Sequence, residues 1–295
     1  MPALGPGTAL LAYLLLVVSY AAVGFSTQPR DPVLGLWLTE ALAIALPAVI
    51  ALRWANVRPG PFLGLGRASA AALLLAAGVA ALNQPIIALL EHGAQAWSPE
   101  PWVRMFEHKN RILETLFEGR KAAMVVTVIL AAPIAEELFF RGFMQPALER
   151  RIGFIPALLA TSALFSAIHL DPVGFIGLMQ LGMLFGLLRH ATGSLWPSMM
   201  AHATNNALAA TAFLLGLQKP EEKPPAWLLW IGAGLFAAAL PLAFRLARRP
   251  DPQPAREEPW SAADPAGTFR LARAAPLAAV WALAVIGGVA LLLKR

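Results

Sequence analysis

The sequence predicts an all-α fold, a polytopic transmembrane helical bundle with eight or nine spans. Hydrophobic residues make up 58% of the 295 residues and charged residues only 14%. The apolar share therefore exceeds what a soluble core of this length needs. The apolar residues also lie in long uncharged runs, and a membrane-spanning helix needs ~20 mostly apolar residues in succession.

Nine apolar segments follow one another along the chain. Seven contain no Asp, Glu, Lys or Arg: 1–29, 68–90, 152–170, 172–188, 190–218, 224–244 and 274–293. Two more, Leu34–Leu52 and Ala122–Phe140, carry isolated carboxylates. Because basic residues collect in cytoplasmic loops, a cytoplasmic N-terminus is expected: it puts 13 of the 23 Lys and Arg residues on the inner side.

The chain divides into three expected regions. Residues 1–121 form N-terminal transmembrane helices and an amphipathic helix, residues 122–213 form a core with polar side chains inside apolar helices, and residues 214–295 form C-terminal transmembrane helices. The amphipathic helix, roughly Trp102–Arg120, fits the membrane surface, and packing as a cap on the bundle explains its pattern equally well. In the last region, segment 247–273 reads as a proline-rich loop.

Composition also limits the chemistry. The chain has no cysteine, which excludes disulfides, thiol nucleophiles and thiolate metal sites. Catalysis must then use carboxylates, histidines or hydroxyls. The net charge of +6 is what basic cytoplasmic loops supply, and nothing in the sequence indicates a nucleic-acid partner.

A double glutamate ends the uncharged run that begins at residue 122. Glu137 and Arg141 are four residues apart on one helix face and are expected to pair, with the acid before the base. Glu136 points elsewhere and has no local partner. An unpaired carboxylate in a low-dielectric site suits a general base working near neutral pH, so Glu136 is the best candidate for that role.

Two histidines and an amide lie in the next polar-bearing helices. His169 follows a long apolar run, and His202 shares a helix face with Asn206. The edge formed by His202 and Asn206 offers two hydrogen-bond donors to a developing oxyanion, while His169 can steer an attacking water. Counting helical rise from Arg150-Arg151 puts Glu136 and His169 at ~21 Å depth, and from Leu195 puts His202 and Asn206 at ~10–16 Å.

Other interpretations fit the same residues. A single histidine in an apolar helix is more often a packing residue than a catalyst, and a buried Glu/Arg pair is often only structural. A proton-coupled transporter uses buried carboxylates and histidines as a relay, although the chain lacks the internal repeat of many secondary transporters. A third alternative is a non-catalytic scaffold that keeps the fold. A double glutamate, two histidines and an amide in three consecutive polar-bearing helices nevertheless favour a catalytic site.

Taken together, these residues resemble a known family. Glu136-Glu137-x-x-x-Arg141, Phe165-x-x-x-His169 and His202-x-x-x-Asn206, in this order, are similar to the three motifs of the CPBP intramembrane proteases. These include the type II CAAX prenyl endopeptidases and bacterial bacteriocin-processing and immunity proteins. The run Gly193-Ser194-Leu195-Trp196-Pro197 is similar too, and the likeness covers about Ala122–Phe213.

The resemblance implies an intramembrane endopeptidase in which Glu136 activates a water, His169 assists it, and His202 with Asn206 holds the oxyanion. Glu137, Arg141 and Phe165 support this site. The substrate would be a membrane-associated protein or peptide. The protein would be a multi-pass protein of the bacterial inner membrane, with the site towards the cytoplasm.

The resemblance also raises a metal-dependent variant. If zinc were bound, its ligands would be Glu136, His169 and His202. The metal-free mechanism is expected instead, without any cofactor, because Asn206 suits an oxyanion hole better than a zinc shell.

Overall fold

The computed structural model describes residues 4–117, 120–216, 225–247 and 270–294. These residues form helices joined by short turns and contain no strand, so the predicted all-α fold is confirmed. The helices are α1 (Pro6–Thr27), α2 (Pro32–Trp54), α3 (Pro59–Leu63), α4 (Ala70–Trp97), α5 (Glu100–Phe117), α6 (Lys121–Ile152), α7 (Phe154–Ala167), α8 (Phe175–Thr192), α9 (Trp196–Leu214), α10 (Ala226–Ala247) and α11 (Arg270–Leu293).

Six of the described helices, α1, α2, α4, α6, α8 and α11, are long and apolar enough to cross a membrane. Helix α7 and the stretch Leu229–Pro241 of α10 are shorter apolar helices. Each of the nine predicted segments corresponds to one helix, and the chain is an integral membrane protein. The main difference concerns α6, which runs on to Ile152 instead of ending at Phe140.

Polar contacts between helix ends fix which ends lie together. Asp31 caps α2 by accepting from the Leu34 amide at 3.1 Å and pairs with Arg120 at 2.8 Å. These two contacts lower the pKa of the exposed Asp31 carboxyl. Arg30 donates to the Leu291 carbonyl at 2.9 Å. The start of α6 and the end of α11 therefore meet the α1–α2 turn at one face of the bundle.

The opposite face is formed by the segment after α2. The Leu195 amide donates to the Gly64 carbonyl at 2.8 Å, and Ser194 Oγ donates to the Gly66 carbonyl at 2.7 Å. Gly64 has a φ of 74°, and a Cβ there would lie 2.4 Å from the Arg189 guanidinium. Both the backbone angle and this close approach require glycine. The turn between α8 and α9 is thereby fixed at this face.

Three helices contain π-helical stretches that pack against one another. These are Tyr20–Gly24 in α1, Thr39–Ala45 in α2 and Leu138–Met144 in α6. The third stretch begins directly after Glu137. A π-helical stretch widens the helix by one residue and often occurs at functional sites, and here it lies beside the double glutamate.

Helix α5 is amphipathic, as predicted, over Glu100–Phe117. None of its described side chains is buried, and Trp102, Met105 and Ile112 are exposed. An ion pair between Lys109 and the buried Asp171 joins it to the turn after α7. The exposed apolar residues favour the membrane-surface placement over tight packing on the bundle.

The proline-rich loop predicted at 247–273 falls mostly on residues 248–269, which lie outside the described residues.

Candidate active site

Glu137 and Arg141 form the predicted pair at the centre of the bundle. Arg141 Nη1 donates to Glu137 Oε1 at 3.0 Å, and both side chains are 0% exposed. The guanidinium also lies 4.2 Å from the centroid of the Phe165 ring. An ion pair in an apolar interior needs such close geometry to offset the loss of hydration. The prediction that Glu137 neutralises Arg141 is confirmed.

His202 binds the same carboxylate. Its Nδ1 lies 3.0 Å from Glu137 Oε1, and since the carboxylate accepts, Nδ1 carries the hydrogen. The ring stacks on Phe185 with centroids 4.8 Å apart and an interplanar angle of 17°. These contacts point Nε2 towards Glu136, whose Oε2 is 3.8 Å away. His202 is thus oriented by Glu137 and faces the predicted base.

Glu136 and Glu137 each keep one buried oxygen without a hydrogen-bond partner among the described residues, and the oxygen of Glu136 faces His202. Glu136 is 6% exposed, and its Oε2 has no hydrogen-bond partner within the part of the chain that the structure describes. Tyr20 and Glu40 lie within electrostatic range of it. A buried carboxylate oxygen without a partner is costly, and water or a substrate group bound there would remove that cost.

His169 is placed by the end of α7. Its Nδ1 donates to the Phe165 carbonyl at 2.9 Å, which leaves Nε2 as the unprotonated nitrogen of the neutral ring. The Phe165 ring meets His169 edge-on at 5.0 Å and His202 at 6.0 Å. Both histidines therefore contact the Phe165 ring, and no direct hydrogen bond joins them in the described structure.

Asn206 lies one turn after His202 but turns towards α6. Its Nδ2 donates to the Val128 carbonyl at 2.8 Å. The next carbonyl along α6 is that of Ile129. It receives no helical hydrogen bond, because Pro133 has no backbone N–H. One of the two amide hydrogens of Asn206 is used in the contact with Val128, so the other is left for an oxyanion. The pairing of His202 and Asn206 on one helix face is as expected.

The depth count from the sequence needs a correction. It placed Glu136 deeper than His202 because α6 was measured from Arg150-Arg151 and α9 from Leu195. In the structure a Cβ on Gly142 would lie 3.2 Å from the Leu195 side chain, so α9 begins beside the middle of α6, not beside its end. Glu136 and His202 therefore lie at one level.

The structure adds two residues to which the sequence assigned no chemistry. Phe185 holds the His202 ring, and a lone phenylalanine in an apolar helix gives no sequence pattern that identifies it. Glu40 is 6% exposed, and its Oε2 has no partner among the described residues. A single carboxylate within the second apolar segment was the available indication of its location near the site.

The predicted zinc ligands do not form a metal-binding group in this arrangement. Within the described residues no set of three or more His, Asp or Glu side chains is placed to hold a metal ion. His169 and His202 each use Nδ1 in a hydrogen bond and keep Nε2, which is how a metal-ligating histidine is usually held. The placement of the side chains, and not the chemistry of the donors, therefore keeps them from forming a zinc shell as they stand.

Comparisons with known proteins locate the same region. Residues 118–208 match the family model described as "Type II CAAX prenyl endopeptidase Rce1-like". The chain is also 26% identical over 113 residues to the Bacillus subtilis (strain 168) protein named "Putative membrane peptidase YdiL". That match covers 38% of this chain and 46% of the relative, so the chain spans less than half of that protein's length. No solved structure matches the chain.

Proposed function

We propose that the chain is an intramembrane endopeptidase, because residues 118–208 match the model of the type II CAAX prenyl endopeptidase Rce1-like family and a relative is named as a membrane peptidase. It hydrolyses a peptide bond of a membrane-associated protein or peptide through a water activated by Glu136. The matched segment contains all of the proposed site residues: Glu136, Glu137, Arg141, Phe165, His169, His202 and Asn206.

One observation carries the proposal. Glu136 Oε2 is buried, lacks a hydrogen-bond partner within the described residues and faces His202 Nε2 at 3.8 Å. This oxygen can accept the proton of a reacting water, and the imidazole lies beside it. A general base must lie within hydrogen-bond reach of the proton it takes, directly or through one water.

The proposed reaction has two proton transfers. Glu136 takes a proton from the water as its oxygen attacks the peptide carbonyl carbon, and the carbonyl oxygen becomes an oxyanion. When the C–N bond breaks, Glu136 returns the proton to the leaving nitrogen. His169 Nε2 accepts a hydrogen bond that orients the water. The products are a new carboxyl group and a free amine.

His202 and Asn206 stabilise the oxyanion in this proposal. Because Glu137 accepts a hydrogen bond from Nδ1 of His202, donation from Nε2 requires a hydrogen on both ring nitrogens. In that form Nε2 bears a hydrogen that can be donated to the oxyanion. Donors held in advance by fixed partners stabilise such a charge without reorganisation, and Glu137 together with Phe185 holds His202 in this way.

The location of the site supports a substrate in the membrane. Glu136 lies near the middle of α6, which has 32 residues. The face of the bundle formed by the end of α2 and the segment after it carries several basic residues. Among them are Arg53, Arg58, Arg67, Arg150 and Arg151. By the positive-inside tendency this face is proposed to be cytoplasmic, in the inner membrane of a bacterium.

The proposal is tested by product analysis of the wild-type protein in lipid vesicles with membrane-anchored peptides. In water enriched in ¹⁸O we expect one labelled oxygen in the new carboxyl group and a matching free amine. With hydroxylamine present we expect no hydroxamate, because an activated water, not a side-chain nucleophile, attacks the peptide.

Three results would overturn the proposal. Hydroxamate formation would indicate an acyl-enzyme and a different nucleophile. Loss of cleavage with a chelator, restored by zinc, would require a metal-dependent mechanism. Absence of any cleavage across a peptide library, with proton flux through the protein instead, would favour a transporter.

A further inference from the structure

Three side-chain amides in series connect the break in α4 to the proposed site. Gln84 Nε2 donates to Asn205 Oδ1 at 3.0 Å, and Asn205 Nδ2 donates to Asn206 Oδ1 at 3.3 Å. Asn206 Nδ2 then donates to the Val128 carbonyl at 2.8 Å. Helices α4, α9 and α6 are thus linked by one chain of hydrogen bonds, which we call the amide relay.

The direction of the amide relay is fixed at both ends. Gln84 Nε2 also donates to the Ala80 carbonyl at 3.2 Å, and a backbone carbonyl can only accept. The Val128 carbonyl imposes the same condition on Asn206. Reversing the relay would place amide oxygens against both carbonyls, so each amide must present its nitrogen in the observed direction.

This direction matters for the proposed reaction. An oxyanion is stabilised by an N–H group and is repelled by an amide oxygen. Asn206 can turn either edge of its amide towards the substrate, since the two edges have nearly the same shape. A contact that holds its oxygen away from the site therefore determines whether the side chain helps or opposes the reaction.

We propose that Gln84 is a positioning residue for Asn206, acting through Asn205 so that the Asn206 amide presents its N–H to the oxyanion. This inference rests on the proposed function. Gln84 lies outside residues 118–208, in a helix to which the sequence assigned no chemistry. The inference therefore gives a residue of the N-terminal region a role in orienting the proposed oxyanion donor.

The break in α4 is what makes this contact possible. Residues Ala70–Leu82 and Gln84–Trp97 form two helical halves separated at Asn83. Pro85 cannot donate a backbone hydrogen bond. Asn83 exchanges two hydrogen bonds with Gln180 of α8, at 3.0 and 2.9 Å. The neighbouring amides thus divide their roles, because Asn83 ties α4 to α8 while Gln84 reaches α9.

The chain offers a matched pair of variants for a test. Gln84→Met removes the amide with little change of shape, and Gln84 borders an open apolar groove between α4 and α10 that tolerates a thioether. Gln180→Met removes an amide at the same helix break without touching the amide relay. Gln84→Glu cannot donate when ionised and would draw the Asn205 nitrogen towards itself.

We expect Gln84→Met to lower kcat about tenfold with KM unchanged, because it weakens an interaction made in the transition state. Gln84→Glu should lower kcat further, and Gln180→Met should leave kcat within about twofold, a shift that general loosening of the break allows. In an Asn206→Ala background, Gln84→Met should have no further effect on kcat, since its target is gone.

The outcomes separate this inference from the proposed function. If Glu136→Gln abolishes cleavage but Gln84→Met matches wild type or Gln180→Met, the positioning role is wrong. If Gln84→Met and Asn206→Ala reduce kcat independently, Gln84 does not act through Asn206. If Glu136→Gln cleaves like wild type, the peptidase mechanism itself has failed.

Discussion

At the scale of single residues, the site is a buried group of charges that is stable only as a set. Glu137 Oε1 accepts hydrogen bonds from both Arg141 and His202, each at 3.0 Å. The two partners neutralise a carboxylate that is 0% exposed. Removing one partner of such a group leaves a charge buried without compensation, which costs more than the pair itself contributes.

Arg141→Met tests this dependence. We expect the free energy of unfolding to fall by about 3–5 kcal/mol, the usual cost of breaking a buried ion pair. Denaturant titration in mixed micelles, followed by circular dichroism, measures the change. The double variant Arg141→Met/Glu137→Gln should recover part of the loss, since the unpaired charge is then absent. Equal stability of the single and double variants would contradict the account.

Some of the contacts between single site residues could be predicted from the sequence. Spacing alone identifies Glu137 with Arg141, because residues four apart on a helix are neighbours. It cannot reveal that His202 shares the same oxygen of Glu137, since that contact joins residues 65 positions apart. The turn of Asn206 towards the Val128 carbonyl was equally out of reach, because it depends on how α6 and α9 pack.

At the scale of helices, small residues let the helices that carry the candidate site approach one another. A Cβ on Gly182 of α8 would lie 2.9 Å from Ser162 Cβ, 3.0 Å from Ser162 Cα and 3.0 Å from Arg141 Nη2. Gly182 therefore leaves room both for α7 and for the guanidinium. Gly186, four residues later, is similarly placed, because a Cβ there would lie 2.4 Å from the Leu158 side chain of α7.

Gly182→Ala should push α7 and α8 apart. We expect a loss of about 1–3 kcal/mol in the free energy of unfolding, the usual cost of overpacking. The matched control is Gly78→Ala in α4, where a Cβ would meet nothing within 4 Å. That variant should be neutral or gain up to ~1 kcal/mol from helix propensity. Thermal unfolding in detergent compares the stability of the two variants with that of the wild type. Equal destabilisation by both would count against close packing at Gly182.

Helix irregularity was the feature least accessible from the sequence. A proline such as Pro133 indicates where a helix can kink, but the π-helical stretches of α1, α2 and α6 have no reliable local pattern. They arise where three helices pack together, so tertiary contacts and not propensity set them. The break in α4 at Asn83 likewise divides a segment that the apolar pattern presents as continuous.

At the scale of the whole molecule, the bundle brings polar groups from several helices to one level in an integral membrane protein. The apolar pattern predicted this class of fold, because composition and run length determine which solvent the helices face. It could not fix which helices neighbour the site. Three residues of the N-terminal helices lie near the site, in a region to which the sequence analysis assigned no chemistry. Tyr20 and Glu40 lie near Glu136, and Gln84 donates a hydrogen bond to Asn205.

The central claim is that Glu136 acts as the base, and the most direct measurement is single-turnover cleavage of a membrane-anchored peptide by Glu136→Gln in lipid vesicles. Glu149→Gln is the control, because Glu149 lies on the same helix and pairs with His190 at 3.1 Å. We expect a loss on the order of 10²-fold or more for Glu136→Gln and near wild-type cleavage for the control. Equal rates for Glu136→Gln and wild type would contradict the account.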